Sequence, residues 1–257
     1  MPDSLKQKLI NSFLNIYLFP VKISARLKKY VREVTLMDAA SHLSKPVHYL
    51  KSHNLVDKNS VVIDIGGASG DTTSYFLKLL PESRVFTFEA NPQLAEKIKN
   101  KFNNEKVKVF GIALSDKNTE LTFYVTDNSL SSSYKPILKN EQFQTTQSIK
   151  VPARTLDSIM QNEENISTID ILKIDVQGAE SDVLNGAGET LKKTKLVIVE
   201  QSVRSPYQGA SMYFEVDEFL RTANFDLLDI VITYRKDGLV LTEFDSIYIN
   251  KKYSASH

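Results

Sequence analysis

An apolar, β-branched run that passes directly into a glycine-rich turn constrains this chain more than any other stretch. Residues 61–65 read Val-Val-Ile-Asp-Ile, residues 66–71 continue Gly-Gly-Ala-Ser-Gly-Asp, and residues 72–80 read as a helix. A buried strand of a parallel sheet is a continuous apolar run, and ligands of such sheets lie at the turn between a strand and the next helix. The stretch therefore predicts a parallel α/β domain with a binding site at this turn.

The alternation of strands and helices continues to the end of the chain. Seven strands are predicted at residues 61–65, 84–89, 107–112, 169–175, 196–200, 225–233 and 239–250, with an additional strand at residues 121–125. Helices are predicted at residues 72–80, 92–102, 179–191 and 214–223. Residues 236–238, Lys-Asp-Gly, predict a hairpin turn between the last two strands. We expect an α/β fold with a doubly wound, mostly parallel seven-stranded sheet, an antiparallel strand at its end and helices on both faces.

Residues 129–146 are polar and show no clear period, so they predict a long loop that is either a substrate loop or a surface loop. The N-terminal region differs from the rest in charge. Residues 1–50 carry eight Lys or Arg and three acids, whereas the whole chain has a net charge of +1. We assign residues 1–55 to an N-terminal helical extension and residues 56–252 to the main domain. The extension packs on the main domain, lies on a membrane as a basic amphipathic segment or supports self-association.

Composition excludes several classes of protein. The near-zero net charge argues against a dedicated nucleic-acid binder, and the absence of cysteine excludes disulfides and thiolate metal sites. No apolar segment is long enough to predict a spanning helix, and no cleavage site follows the short apolar stretch at residues 13–21. We expect a cytoplasmic protein, with peripheral membrane contact through the N-terminal helices as an alternative.

The spacing of the glycines discriminates between ligands of the turn. A dinucleotide fingerprint, G-x-G-x-x-G, fails because its three positions hold Gly66, Ala68 and Asp71. A phosphate P-loop, G-x-x-x-x-G-K-[ST], does not occur in the chain. What remains is an acid followed by small residues at alternate positions: Asp64, Gly66, Ala68 and Gly70. This pattern resembles the first motif of S-adenosylmethionine-dependent methyltransferases.

The chemistry of the turn suits that cofactor. Gly66 and Gly67 let the backbone approach a ligand closely, and the amides at the helix start are able to receive its carboxylate. Glu89 ends the second strand about 20 residues further on, the spacing at which nucleotide-binding folds place an acid on ribose hydroxyls. Two purely structural interpretations stay open. In the first, Glu89 is an exposed acid at the end of the strand. In the second, Asp64 is a buried acid that only orders the loop.

Residues 113–116, Ala-Leu-Ser-Asp, end the third strand, where the cofactor's adenine is expected. Small Ala113 leaves room for the base, and Ser115 supplies a polar contact. The predicted cofactor-binding residues are Asp64, Gly66, Gly67, Ser69, Gly70, Asp71, Glu89, Ala113, Ser115 and Asp175.

A second motif is more distinctive. Residues 173–180 read Lys-Ile-Asp-Val-Gln-Gly-Ala-Glu. They resemble the K-I-D-V-E-G-x-E signature of the FkbM family of methyltransferases. Residues 155–157 match the family's T-L-D element, residues 113–116 match its A-L-S-D element, and residues 245–249 are similar to its final strand. The resemblance covers roughly residues 60–250, and the N-terminal extension lies outside it.

The chain departs from the family pattern at three places. Residues 66–70 read Gly-Gly-Ala-Ser-Gly where the family has Gly-Ala-Asn-x-Gly, and residues 89–91 read Glu-Ala-Asn where it has Glu-Pro-Asn. Gln177 stands where the family commonly has Glu, which leaves one fewer carboxylate near the site. None of these changes removes a group that methyl transfer requires.

The resemblance implies a class I, Rossmann-like methyltransferase that uses S-adenosylmethionine to methylate a hydroxyl of a sugar, glycan or secondary metabolite. The Asp/Asn-Pro-Pro-aromatic motif of amino-methylating DNA enzymes is absent, which agrees with oxygen as the acceptor. The expected partner is a small-molecule or glycan acceptor, without nucleic acid, and an oligomer stays open. Residues 126–150, the loop at residues 202–213 and the N-terminal helices are the expected acceptor-binding segments.

Three residues are the catalytic candidates. Asp175 ends a central strand at the edge where ligands bind, and we predict that it is the base for an alcohol acceptor. Glu180 is the second candidate, and Lys173 lies on the same strand face as Asp175, where it orients the acid or the acceptor. A structural reading stays open, in which Asp175 and Glu180 only cap the next helix. We predict no metal site, with a divalent ion between Asp175 and Glu200 as the alternative.

Two other classes of protein compete with this interpretation. The first is a non-catalytic S-adenosylmethionine-binding or scaffold protein. The second is another nucleotide-cofactor enzyme on the same fold, such as a nicotinamide oxidoreductase. The failed glycine spacing argues against the second class.

Overall fold

The structure, a computed structural model, describes residues 41–56, 59–128, 131–138 and 143–254. The segment that precedes residue 41, which includes most of the predicted N-terminal extension, lies outside the described residues. The strands are β1 (Val61–Ile65), β2 (Arg84–Phe88), β3 (Val107–Phe110), β4 (Ala113–Leu114), β5 (Thr119–Thr126), β6 (Thr145–Arg154), β7 (Ile169–Ile174), β8 (Thr194–Ser202), β9 (Phe225–Lys236) and β10 (Val240–Asn250). The helices are α1 (Ser41–Ser52), α2 (Asp71–Leu79), α3 (Pro92–Lys101), α4 (Leu156–Met160), α5 (Glu180–Asn185), α6 (Gly188–Lys192) and α7 (Tyr213–Thr222).

The main sheet has seven strands in the order β3-β2-β1-β7-β8-β10-β9. Its first five strands pair in parallel, and β10 pairs antiparallel with both β8 and β9. Every residue of β1 and β7 is buried, as the apolar runs predict for strands covered on both faces. The predicted mostly parallel, seven-stranded sheet with a hairpin at its end is confirmed.

Helices cover both faces of this sheet. On one face, α1 and α2 pack through Leu43 and Phe76 against a cluster that includes Val62 on β1. On the other face, α5 and α7 pack through Val183 and Leu220 against a cluster that includes Leu172 on β7 and Val197 on β8. Burial of these apolar side chains from both sides is the main term that stabilises the sheet.

Helix α1 belongs to this packing although its residues precede the predicted boundary at residue 56. Leu43, Val47 and Leu50 are all buried in the same cluster as strand residues of the sheet. Lys45 on α1 also pairs with Asp229 on β9, at 2.8 Å. The described part of the predicted extension therefore shares the core of the main domain, and the boundary between residues 55 and 56 stays a prediction.

A second, three-stranded sheet has the order β4-β6-β5. Its small core consists of Ala113, Phe123, Val151 and Ala153. Strand β6 lies partly within the segment that was predicted to be a loop, and no strand was predicted at its position. The additional strand predicted at residues 121–125 is part of β5, and the antiparallel pairing of β5 with β6 supplies the partner that the sequence did not reveal.

The helix predicted at residues 179–191 is interrupted. The structure ends α5 at Asn185 and begins α6 at Gly188. A Cβ at Gly186 would lie 2.2 Å from the carbonyl oxygen of Ser115, so the chain passes too close to β4 for a side chain at this position. Asp157 accepts hydrogen bonds from the amides of Glu189 and Thr190, at 2.9 and 2.8 Å, and so holds the start of the second helix.

Among the residues that the structure describes, no helix combines the length and the apolar character needed to cross a membrane.

Candidate functional site

The glycine turn after β1 is joined to the end of β2. Gly66 and Gly67 both donate their amides to the carbonyl oxygen of Phe88, at 2.9 and 3.0 Å. The carboxylate of Glu89 accepts the amide of Ala68 on Oε2 and the amide of Asn91 on Oε1, each at 2.7 Å. Burial raises the pKa of Glu89, although these two hydrogen bonds oppose the shift. Glu89 therefore shapes the turn, and each of its oxygens keeps a second lone pair for a ligand hydroxyl.

A side chain at position 66 would overlap the end of the neighbouring strand as well as obstruct a ligand. Its φ is +88°, and a Cβ at this position would lie 1.8 Å from the carbonyl oxygen of Asp175. The amide of Asp175 donates to the carbonyl oxygen of Ile65, at 3.0 Å. The turn after β1 and the end of β7 are therefore in direct backbone contact, which brings the predicted cofactor residues and the predicted base to one place.

Asp64 is completely buried beneath the turn. Its Oδ2 accepts a hydrogen bond from Thr73 Oγ1 on α2, at 2.7 Å, while its Oδ1 has no partner among the described residues. Burial raises the pKa of Asp64 to about 6, and the charge of Lys173 on the adjacent strand opposes this shift. Asp64 thus links β1 to α2 and keeps one carboxylate oxygen available.

The other turn residues form an outer rim. Ser69 Oγ donates to Asp71 Oδ2 at 2.7 Å, and Lys101 Nζ on α3 donates to Asp71 Oδ1 at 2.8 Å. Both Ser69 and Asp71 are exposed. Gly70 has a φ of +73° and lies at the N-terminus of α2, where a non-glycine residue would be strained. The amides of Gly66, Gly67, Ala68 and Gly70 all donate to protein acceptors, so the expected binding of the cofactor carboxylate by amides of the turn stays a prediction.

Ala113 and Ser115 were predicted at the end of the third strand, but β3 ends at Phe110, and Ala113 lies on β4 of the small sheet with Ser115 directly after that strand. Ala113 is buried in the core of the small sheet, against which Ala90 also packs. Ser115 donates its amide to the carbonyl oxygen of Arg154, at 2.9 Å, and its hydroxyl to Asp116 Oδ1, at 3.1 Å. The structure therefore brings this segment to the neighbourhood of Glu89, and its contact with an adenine stays a prediction.

Lys173 and Asp175 form an ion pair on β7. Lys173 Nζ lies 2.7 Å from Asp175 Oδ2, with side-chain exposures of 5% and 29% respectively. Burial is the largest effect and would raise the pKa of Asp175, but the charge of Lys173 and the hydrogen bonds to the carboxylate together outweigh it, so the pKa of the aspartate is lowered. Asp175 is consequently an ionised carboxylate that remains accessible at the edge of the sheet.

Two further acids lie next to this pair. Glu200 on β8 is opposite Asp245 on β10 in the antiparallel register. Burial, together with the charge of Asp175, raises the pKa of Glu200 well above its usual value. Burial also raises the pKa of Asp245 to about 7. These acids therefore favour the protonated form next to the ionised Asp175.

Gln177 connects Asp175 and Glu200. Its Nε2 donates to Asp175 Oδ1 at 2.9 Å and to Glu200 Oε2 at 2.7 Å. Its Oε1 lies 3.0 Å from the hydroxyl of Tyr207, in the loop after β8. Sequence reasoning named Glu200 and Tyr207 as neighbours of the site but missed the bridging role of Gln177. Its position in the Lys173–Glu180 motif was the one available signal.

Glu180 is turned inward. Its Oε1 accepts the amides of Gly178 and Val176, at 3.0 and 3.3 Å. The residue is buried, and burial raises its pKa to about 7. Glu180 therefore orders the turn after β7, in agreement with the structural reading, and its role as a second base stays a prediction.

The alternative of a divalent ion receives no support from the site geometry. Among the described residues, no group of three or more histidines or acids is arranged to hold a metal ion. The facing oxygens of Asp175 and Glu200 are both occupied by the amide of Gln177.

The residues at this edge of the sheet fit S-adenosylmethionine. The cofactor carries a sulfonium and an ammonium group, and the edge holds several carboxyls around one buried ammonium, that of Lys173. The partnerless Oδ1 of Asp64 and the carboxylate of Glu89 are acceptors at the turn. Charge and hydrogen-bonding capacity therefore both match the cofactor that the sequence motifs imply.

Comparison with known proteins agrees with this arrangement. The family described as Methyltransferase FkbM domain matches residues 64–227. The 2-O-methyltransferase NoeI of Sinorhizobium fredii (strain NBRC 101917 / NGR234) is 32% identical over 191 residues, which cover 68% of this chain and 78% of that protein. Methyltransferase 1 of Beauveria bassiana (strain ARSEF 2860) is 25% identical over 187 residues, with 61% of this chain and 75% of that protein covered.

A solved structure supports the fold. The plantazolicin methyltransferase BamL, in complex with a triazolic desmethylPZN analog and SAH, superimposes with a TM-score of 0.50 and 10% identity, covering 90% of each chain. The resemblance carried by residues 173–180 is confirmed by the family match, as is the expected cofactor. The chain belongs to the FkbM family of S-adenosylmethionine-dependent methyltransferases.

Proposed function

We propose that this methyltransferase methylates a hydroxyl oxygen of a neutral, polyhydroxylated acceptor, such as a sugar unit of a glycan or a related small molecule, and that Asp175 takes the hydroxyl proton. The observation that carries this proposal is the position of Asp175, an accessible carboxylate beside the glycine turn and 2.7 Å from Lys173 Nζ. The cofactor supplies an electrophilic methyl group on its sulfonium sulfur. The protein then has to hold the acceptor in line and receive one proton.

Asp175 suits this proton better than the other acids of the site. A base has to be ionised before it accepts a proton, and the pKa of Asp175 is lowered, whereas burial raises the pKa of Glu180 to about 7 and that of Glu200 well above its usual value. The hydroxyl proton becomes strongly acidic as the oxygen forms its bond to carbon, so a weak base is sufficient. Asp175 also keeps 29% of its side chain exposed, which allows contact with an acceptor.

The charges near Asp175 support a neutral acceptor. Burial and the negative charge of Asp175 raise the pKa of three neighbouring acids, Glu200, Glu243 and Asp245. An anionic acceptor would add a further negative charge to this group, whereas hydroxyls donate hydrogen bonds to carboxylates. The relative NoeI is named as a 2-O-methyltransferase, which supports oxygen as the acceptor atom.

A transfer assay with matched acceptors tests this function. The protein is incubated with S-adenosylmethionine and either neutral glycosides or the corresponding uronic acids, and products are identified by mass spectrometry. We expect O-methylated product from neutral acceptors and at least about tenfold lower kcat/KM for the uronic acids, about 1.4 kcal/mol of discrimination. Methylation of nitrogen or of the carboxylate, or equal activity on both acceptor sets, would contradict the proposal.

Cytoplasmic location and membrane contact are further proposals that rest on the sequence. Membrane contact is supported by the excess of Lys and Arg in residues 1–50. Co-sedimentation with anionic vesicles tests the contact, with a variant in which Arg26, Lys28, Lys29 and Arg32 are replaced by Gln as the comparison. Equal sedimentation of the two proteins would exclude a basic membrane-binding segment.

A further inference from the structure

Gln177 is the meeting point of four separate segments around the base. Its side-chain amide contacts Asp175 after β7 and Glu200 on β8. Its Oε1 lies near the hydroxyl of Tyr207, and its backbone carbonyl accepts a hydrogen bond from Ser133 Oγ, at 2.8 Å. The catalytic and cofactor-binding roles described above do not explain why one side chain joins these segments.

The backbone of Gln177 is held in a conformation that non-glycine residues rarely adopt. Its φ is +58°, in the left-handed region, and Gly178 follows with a φ of +96°. Such a conformation costs of order 1 kcal/mol or more in a non-glycine residue, and it persists only where the surroundings impose it. Contacts from Ser133 and Tyr207 supply these surroundings, and the result is that the amide of Gln177 points between the two acids.

The chemistry of an amide suits this location. Nε2 carries two hydrogens, and the two distances, 2.9 Å to Asp175 Oδ1 and 2.7 Å to Glu200 Oε2, allow one hydrogen for each carboxyl. Lys173 occupies the other oxygen of Asp175, so both oxygens of this carboxylate have a donor. Because the Gln177 amide is neutral, it bridges the two acids without adding charge.

We propose that Gln177 is a positioning residue of the methyl-transfer site, whose amide bridges Asp175 and Glu200 and holds the Asp175 carboxylate at the edge of the sheet where the acceptor binds. The proposal rests on the role of Asp175 as the base. It adds a residue whose contribution is to keep that base ionised and oriented, while the loop that carries Tyr207 keeps the amide in place.

Several titratable or charged groups face the pair from the surrounding elements: Lys173 on β7, Asp64 on β1, Glu89 after β2, Glu180 on α5, Glu243 and Asp245 on β10, and Tyr207 in the loop after β8. Lys173 is the cation among them. Without the Gln177 donor, the Asp175 carboxylate loses one hydrogen bond while the neighbouring acids remain. The pKa of Asp175 therefore rises.

Two replacements test this role with the backbone strain unchanged. Gln177→Glu places a third carboxyl between the two acids, and Gln177→Met keeps the length of the side chain without a donor. A charge-assisted hydrogen bond contributes enough to shift a pKa by about one to two units. We therefore expect the acidic limb of the kcat/KM profile to move up by about one to two pH units in both variants.

The same experiment includes cofactor binding and a matched control. We expect the Kd for S-adenosylmethionine to stay within about threefold of the wild type, because the glycine turn and Glu89 are untouched. Gln161→Glu introduces the same charge at an exposed position directly after α4 and is expected to leave the pH profile unchanged. The proposal is overturned if the acidic limb of the kcat/KM profile lies at the same pH in both Gln177 variants as in the wild type.

A measurement without cofactor or acceptor separates this proposal from the proposed function. Infrared titration of the apoprotein follows protonated carboxyls, and Glu200→Gln identifies the signal of Glu200. We expect Gln177→Met to shift the pH at which that signal disappears. If the shift occurs but the wild type methylates no hydroxyl, the proposed function fails and the positioning role stands. An unchanged titration in an enzyme that methylates hydroxyls refutes the positioning role alone.

Discussion

Lys173 lies on β7 and Asp175 directly follows that strand, with Lys173 Nζ 2.7 Å from Asp175 Oδ2. Alternate residues of a strand share a face, so the strand itself aligns the ammonium with the carboxylate. This positive charge and the hydrogen bonds to the carboxylate together outweigh burial and lower the pKa of Asp175. The contact between the Asp175 backbone and Gly66 places this ion pair beside the cofactor turn.

The first prediction concerns the base. Asp175→Asn keeps the shape of the side chain but removes its capacity to accept a proton, so we expect kcat to fall by about 10²- to 10⁴-fold. The Kd for S-adenosylmethionine should change by less than about threefold, because the glycine turn is intact. Rapid-quench transfer assays and calorimetric titration measure the two quantities. Normal turnover in the Asn variant would remove Asp175 from this role, and Asp237→Asn in the hairpin turn is the control.

The second prediction concerns Glu89. Glu89→Gln replaces one acceptor oxygen with a donor that faces the amide of Ala68 or that of Asn91. A buried amide then loses its partner, and a ligand hydroxyl loses a charged acceptor. We expect the Kd for S-adenosylmethionine to rise by about 10- to 100-fold, as measured by calorimetry. Glu96→Gln, at an exposed position on α3, should bind normally. Equal affinities for the two variants would assign Glu89 a purely structural role.

The third prediction concerns the close approach of β1 to β7. Gly66→Ala places a Cβ 1.8 Å from the carbonyl oxygen of Asp175 at a φ of +88°. We expect a loss of more than about 3 kcal/mol in the free energy of unfolding, from strain plus displacement of the strand end. Gly209→Ala is the matched control, because its φ is +66° and no atom lies within 4 Å of the new Cβ.

Urea denaturation of the two alanine variants separates conformational strain from steric overlap. The control should lose only about 1 kcal/mol, which is the conformational cost of a left-handed alanine. The difference between the variants then measures the contact with Asp175. Similar losses in both proteins would show that the two strand ends separate at little cost.

The fourth prediction concerns pH. Burial raises the pKa of Asp245 from 3.8 to about 7. Between these values the folded state binds more protons than the unfolded state, so the contribution of Asp245 to stability is lost as pH rises through about 7. Relative to Asp245→Asn, the wild type should lose about 2–3 kcal/mol of unfolding free energy between pH 5 and pH 8. Urea denaturation at both pH values provides the comparison. Parallel pH curves for the two proteins would show that Asp245 does not titrate in this range.

The parts of the fold that the sequence predicted are those with strong local patterns. β1 and β7 are apolar runs because both of their faces are covered, and the hairpin of β9 and β10 contains an Asp-Gly turn. In contrast, β6 was missed. Its first residues are exposed and polar, and Pro152 interrupts the pattern of a strand. Its signal was the alternation of Ile149, Val151 and Ala153, which is short because the small sheet has a small core.

Within the candidate site, too, only the parts with a local sequence pattern were predicted. The glycine turn and the Lys173–Glu180 motif are local, so each indicated its own chemistry. The bridge from Gln177 to Glu200 joins the turn after β7 to strand β8, and its existence depends on the register of β7, β8 and β10. The interruption between α5 and α6 likewise depends on the approach of Ser115 to Gly186.

The sequence by itself determined the seven strands of the main sheet, the glycine turn after β1 and the membership of a methyltransferase family, because backbone conformation and hydrophobic burial follow from neighbouring residues. Only the tertiary structure decided which carboxyl is ionised. That outcome depends on distances between Asp175, Lys173, Gln177 and Glu200, and on how far each group is removed from water. Protonation is a property of the assembled edge of the sheet, because charges interact through space and burial is decided by every element that packs there.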